Sequence, residues 1–175
     1  MAECSSHAVL GAGGVGGFVG AVLAAAGERV ILLLRAESLA GYPGELSLDS
    51  PLGRVTAPVL PALALEEAVD VLWVTTKATQ LDAALAAVPD PTLARMVVPL
   101  LNGVDHVARL RSRFGAERVV PGTIAGELER AAPGRILHRS GFARFGFAAA
   151  GELRLARVAE ILTRFGCPCR FEADE

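Results

Sequence analysis

Six consecutive residues near the start of the chain, Gly11-Ala12-Gly13-Gly14-Val15-Gly16, form a G-x-G-x-x-G pattern suited to holding a pyrophosphate. Each patterned glycine has a physical task. Gly11 permits a tight turn off a strand, Gly13 lets the backbone come close to a phosphate, and Gly16 lets the following helix pack against the strand. The helix start then offers free N–H groups and a positive dipole end to the anion. The pattern alone is weak, because 19 glycines in 175 residues produce it at random with a probability of about 0.2. Its surroundings give it weight. An apolar run over 7–10 reads as a buried strand, residues 15–26 as a helix of small side chains closed by Gly27, and residues 29–34 as a second buried strand. Strand, helix and strand in that order make a βαβ unit.

The end of the second strand selects the nucleotide. A chain that binds NAD places Asp or Glu there, to hold the ribose 2′-hydroxyl. Here the strand ends in Leu34-Arg35-Ala36, with no acid until Glu37. The planar, charged fork of Arg35 is matched instead to a 2′-phosphate, so the expected cofactor is NADP(H). The plainer reading of Arg35 is a solvated surface side chain. Lys77 and Asn102 each stand just past a further apolar run, 70–75 and 96–101. Ligands of open α/β sheets bind beyond the carboxyl ends of strands. The plainer readings are a surface lysine at a helix start and a turn asparagine before Gly103. His106, one helical turn past Asn102, either faces solvent or lines the cleft. His7 reads as the partly buried opening of the first strand. No His or Cys spacing fits a metal site or a nucleophile's base, and Cys167-Pro168-Cys169 is neither a C-x-x-C redox pair nor half of an ordinary zinc site.

These candidates need a scaffold. Residues 40–61 are rich in Gly and Pro, and Leu46, Leu48, Val55 and Val59 suggest a hairpin around 50–53. Helices are expected over 81–88, over 104–114 (ended by Gly115) and over 153–165. Strands are expected over 118–125 and 169–171, with a hairpin of 135–138 against 143–147 around Ser140-Gly141. The alternation predicts an α/β, Rossmann-like doubly wound, mostly parallel sheet with helices on both faces, as a single domain over 1–175. Composition agrees. Apolar residues make up 52%, charged residues 21% and aromatics 5%, which implies a core of Ala, Val and Leu. The net charge of −2 favours neither nucleic acid nor an anionic membrane. The apolar stretch 19–26 is too short to cross a bilayer. The N-terminus has no basic start, and three cysteines without a framework fit a reducing cytoplasm.

Three further segments carry a resemblance: Val74-Thr75-Thr76-Lys77-Ala78, Leu101-Asn102-Gly103-Val104, and Pro133-Gly134-Arg135-Ile136-Leu137-His138 ahead of Phe145-Gly146-Phe147. With the glycine run and Leu34-Arg35, they make the chain resemble the ketopantoate reductase (2-dehydropantoate 2-reductase) family over essentially its whole length. The resemblance implies NADPH-dependent reduction of a 2-keto acid, such as 2-dehydropantoate, to the 2-hydroxy acid, a step of the pantothenate pathway. It places residues 11–16 and Arg35 at the cofactor phosphates and Lys77 at the cofactor. It places Asn102 near the nicotinamide ribose and the substrate, and makes His138 structural. The family's catalytic lysine and a substrate-holding carboxylate lie in a helical C-terminal domain, which would begin about where this chain stops. Lys77 is the only lysine, so no catalytic residue is assigned here. The isolated chain is expected to be inactive or poorly active, and to self-associate through the surface where that domain would dock. The alternatives are a stand-alone, non-catalytic NADP(H)-binding module or sensor, and another two-domain dehydrogenase of the 3-hydroxyacid or 6-phosphogluconate type.

Overall fold

Strands that carry consecutive apolar residues must be covered on both faces. The computed structural model, which describes residues 4–173, shows how this is done. Met1 to Glu3, on which the reading of the N-terminus rests, lie outside the described residues. In chain order the strands are β1 (Ser6–Leu10), β2 (Arg29–Leu33), β3 (Glu45–Ser50), β4 (Gly53–Pro58), β5 (Leu60–Ala62) and β6 (Val69–Val74). There follow β7 (Ala94–Pro99), β8 (Gly122–Ala125), β9 (Leu128–Ala132), β10 (Arg135–His138), β11 (Arg144–Ala148) and β12 (Cys169–Glu172). The helices are α1 (Gly14–Ala25), α2 (Ala36–Leu39), α3 (Leu81–Leu85), α4 (Asp105–Phe114) and α5 (Glu152–Arg164).

The central sheet is parallel throughout, in the order β5-β2-β1-β6-β7. Val120 N–H donates to the Val97 carbonyl at 2.9 Å and extends the sheet beyond β7. Side chains alternate between two cores. Val9, Val30, Leu32, Val71, Trp73, Met96 and Val98 join α1 and α5 on one face. Ala8, Leu10, Ile31, Leu33, Leu72, Val74 and Val97 join α3 and α4 on the other. The sequence expectation of a doubly wound α/β sheet therefore holds. No helix among the described residues is long and apolar enough to cross a membrane.

Helix α1 has no polar residue, and a helix apolar all round must be buried all round. A four-stranded sheet, ordered β4-β3-β10-β9, covers the side that the central sheet leaves open. Glycines permit both contacts. A Cβ at Gly16 would strike the Gly11 carbonyl and the Thr75 hydroxyl on the central side. On the other side, a Cβ at Gly14, Gly17 or Gly20 would strike the Leu128 carbonyl, Ile136 Cδ1 or Leu46 Cδ1 respectively. A third sheet, β12-β11-β8, adds Phe145 and Phe147 to the same core.

Three expectations are corrected, and one strand, β9, is not among those expected. β10 and β11 do not pair with each other. β10 joins β9 and β3, whereas β11 joins β8 and β12, so residues 139–143 hand the chain from one sheet to another. Only Gly122–Ala125 of 118–125 is a strand. β9 lacks a sequence signal because all but its first residue are exposed. α3 ends at Leu85 rather than Val88, since Pro89 disfavours helical backbone at Val88. Arg113 binds the carbonyls at this helix end, donating from Nη2 to Val88 O at 2.6 Å and to Leu85 O at 3.3 Å, the latter also accepting from Val88 N–H.

Candidate functional site

The parallel register sets Leu10 beside both Leu33 and Val74, and Val74 beside Pro99. The residues that follow these strands must therefore emerge along one edge. Gly11, Arg35, Lys77 and Asn102 do so, although they are far apart in sequence. Strand order reverses between β1 and β6, and such a reversal opens a crevice at the carboxyl ends of the strands.

The glycine loop is shaped by two constraints. Gly11 has φ 106°, a left-handed value that side chains disfavour. A Cβ there would also lie 2.8 Å from Thr76 N and 2.9 Å from Thr76 Cγ2. Thr75 Oγ1 donates to the Gly11 carbonyl at 2.7 Å and fixes the loop to the end of β6. Gly13 differs from its neighbours. Its backbone is extended, with φ −83° and ψ −160°, and a Cβ would meet no atom within 4 Å. The space above it is an open cradle at the start of α1. Gly13 is the N-cap and brings no side-chain acceptor, and the first turn has no acid. The leading N–H groups of the helix are thus left for water or a ligand. Ala12 is buried and Val15 packs half-buried against the core beneath the loop. Gly14 is accounted for by its approach to β9, as above.

Arg35 caps α2 with its side chain 62% exposed, and Glu37 Oε1 is 4.0 Å from it. An exposed pair at that distance holds the guanidinium only weakly. Lys77 is exposed at the start of a short 3-10 turn, Ala78–Gln80. Asn102 is exposed and precedes Gly103, whose φ is 87°. The edge thus brings together an open cradle, two exposed cations and an amide.

The histidines divide. His106 is buried, not on the helix surface. It lines a cavity of about 320 Å³ next to Gly103, with Leu101, Val107, Thr123, Phe147 and Glu172. Burial pushes its pKa down, and Asp105 opposes that shift. Sequence reasoning missed this cavity because the third sheet builds much of its wall. His138 is structural, as expected. Leu52 N–H donates to Ser50 Oγ at 3.0 Å, and Ser50 Oγ lies 2.8 Å from His138 Nδ1. Nδ1 then accepts, and Nε2 donates to the Phe142 carbonyl at 3.0 Å. His7 is not a partly exposed strand end: it is completely buried, and burial lowers its pKa to about 4 against the pull of Glu28 and Asp70. Burial also pushes the Cys167 and Cys169 thiols up to about 12 and 11, which makes both poor nucleophiles and poor ligands.

The fold and this edge define a Rossmann-type domain of a nucleotide-dependent oxidoreductase. The chain belongs to the ketopantoate reductase PanE/ApbA family, whose model matches residues 7–151. It is 36% identical over 162 residues to 2-dehydropantoate 2-reductase of Caulobacter vibrioides, covering 89% of this chain and 53% of that protein. The solved 2-dehydropantoate 2-reductase of Porphyromonas gingivalis W83 is 26% identical, with a TM-score of 0.78 over 98% of this chain and 65% of that one. A D-mandelate dehydrogenase solved with NADH and anilino(oxo)acetate shares the fold at 23% identity and a TM-score of 0.79, over 96% of this chain and 57% of that one. The chain spans about half the length of the curated relatives it matches.

Proposed function

We propose that this chain binds NADPH along the carboxyl edge of the central sheet and is the cofactor half of a reductase acting on a 2-keto acid such as 2-dehydropantoate. The observation that carries the reading is the convergence of the glycine loop, Arg35, Lys77 and Asn102 at the strand-order reversal. The open cradle at Gly13 fits a pyrophosphate, which the leading N–H groups of α1 would hold. Arg35 would meet the 2′-phosphate, Lys77 would face the cofactor, and Asn102 would orient the nicotinamide ribose and the keto acid. The 320 Å³ cavity beside Gly103 would receive the small substrate in this reading. Bound NADPH supplies the hydride.

Reduction of a keto group also needs a proton or cation at the carbonyl oxygen, and removing a positioned acid costs about 10²–10⁴ in rate. The family resemblance assigns that role to a lysine outside these residues, and Lys77 points to the cofactor side in this reading. The 175-residue chain alone should therefore bind NADPH with little turnover. Calorimetric titration with NADPH, and NADPH oxidation followed with ketopantoate, test the two halves separately. Absence of NADPH binding overturns the cofactor reading. Turnover on the order of 1 s⁻¹, the ordinary enzyme range, overturns the need for an outside acid.

A further inference from the structure

The cavity of about 320 Å³ is lined by Leu101 and Gly103, the two chain neighbours of Asn102. Its wall is of two kinds. Leu101, Val107 and Phe147 make it apolar on one part. Three polar side chains come from three separate elements: His106 from α4, Thr123 from β8 and Glu172 from β12. Gly146 of β11 also lines it. A Cβ at Gly146 would lie 2.8 Å from Thr123 Oγ1 and 4.0 Å from Glu172 Oε1. The side chain that this glycine omits is therefore space bordered by a hydroxyl and a carboxylate.

His106 is the member that packing does not explain. It is only 7% exposed, yet its ring makes no hydrogen bond among the described residues. The equally buried His138 has both ring nitrogens partnered, as buried polar side chains normally do. The His106 nitrogens are not sealed in: neither is closed off from solvent, and the ring lines the cavity. A histidine ring carries at least one N–H in either protonation state, so His106 always offers a donor. Glu172 offers an acceptor, and the Thr123 hydroxyl offers either. Charge does not favour an anion here. Arg111 and Glu172, the charged members of the wall, offset each other, and Asp105 stands next to His106. The matching group is neutral, both accepts and donates, and sits on a compact apolar chain. A hydroxyl on a branched carbon skeleton has these properties.

We infer that His106 is a specificity residue, whose ring donates to a hydroxyl on the side chain of the 2-keto acid while the branched carbons pack against Leu101, Val107 and Phe147. The inference rests on the proposed function, with the keto and carboxylate groups held outside the cavity, at Asn102. It narrows the substrate to short 2-keto acids with a hydroxylated side chain. A hydrocarbon chain of the same shape would displace water from His106 and Glu172 without replacing its hydrogen bonds.

The test is an NMR titration of the chain with ketopantoate and, separately, with trimethylpyruvate, which has the same carbon skeleton and lacks only the hydroxyl. Each titration is run in saturating NADP⁺, which carries no hydride and so consumes neither acid, and again without nucleotide, so that the outcome does not hang on cofactor binding. The signals read are the His106 ring, the Gly146 amide and the Asn102 side-chain amide. Both acids should shift Asn102, and ketopantoate should bind about tenfold more tightly and shift the His106 ring. His106→Phe keeps a ring without the donor and should bind the two acids equally. His106→Gln keeps an N–H and should retain part of the preference. Equal affinity for the two acids in the unaltered chain, or an undiminished preference in His106→Phe, overturns the inference. A shift at Asn102 without one at His106 also overturns it and leaves the proposed function standing. No shift at either residue with either acid removes both.

Discussion

The same substitution at two positions of the glycine run should have opposite consequences. At Gly16 a valine would drive its Cβ into the Gly11 carbonyl and the Thr75 hydroxyl, and to 2.8 Å from Val9 Cγ1. The first two belong to strand ends tied together by hydrogen bonds, so α1 itself must lift from the sheet. Overpacking of this kind costs about 1–3 kcal/mol, and a β-branched side chain against fixed backbone belongs at the upper end. For a chain of this size each kcal/mol lowers Tm by about 2–4 °C, so Gly16→Val should lose about 6–12 °C. At Gly13 the Cβ meets nothing within 4 Å and the backbone is already extended. The only cost to folding is a poorer N-cap, about 1 kcal/mol, or about 2–4 °C. The added methyls would fill the cradle, however, and NADPH affinity should fall more than a hundredfold. Melting followed by circular dichroism without ligand, with calorimetric titration of NADPH, measures both effects. Equal losses of Tm at the two positions would refute the packing argument. Tight NADPH binding by Gly13→Val would refute the assignment of the cradle.

Further outcomes are expected. Arg35→Ala should weaken NADPH by about ten- to a hundredfold, from about 1.5–3 kcal/mol for a charge-assisted contact, and leave NADH unchanged; equal NADH and NADPH affinity in the unaltered chain would refute the 2′-phosphate role. His7 has its folded-state pKa lowered from 6.5 to about 4, so the unfolded chain takes up the proton first as pH falls. Its contribution to stability is therefore intact above about pH 6.5 and lost progressively down to about pH 4, up to about 3 kcal/mol; urea denaturation at several pH values, with NMR titration of the His7 ring, checks both sign and window. His138→Ala should cost about 2–4 kcal/mol in urea unfolding, because it leaves a buried cavity, removes one hydrogen bond each from Ser50 and Phe142, and removes the ring whose centroid lies 5.3 Å from that of Phe18.

What was legible in the sequence is what depends on local pattern. β1, β2, β6 and β7 each end in an apolar run because both faces are buried there, and the residues just past them had to share an edge once the sheet was parallel. What escaped depends on partners remote in sequence. The short spacing of β10 and β11 suggests a hairpin, since neighbouring strands usually pair. Yet His138 turns the intervening loop inward through Ser140 and Phe142, and the two strands enter different sheets. His106 and His7 carry no sign of burial in their own neighbours. The walls around them come from the third sheet and from α5, which no local window contains.

The glycine run shows how the two levels connect. Its statistical weakness comes from the abundance of glycine in the chain, and three further glycines beside or within the run have a separate reason. Gly14, Gly17 and Gly20 recur every third residue on the side of α1 that meets Leu128, Ile136 and Leu46, where side chains would hold the four-stranded sheet away. Gly11 and Gly16 close the helix onto the central sheet, and Gly13 alone opens onto empty space. Only one of these six glycines is therefore left without a packing reason, and it is the one that faces the cradle. Because β9 rests its Leu128 carbonyl against the first residue of α1, the position of the leading N–H groups depends on the four-stranded sheet as well as on β1. A substitution that loosens β9 from α1 should thus reach the cradle at Gly13 and weaken the NADPH binding proposed there, although no β9 side chain needs to touch the cofactor.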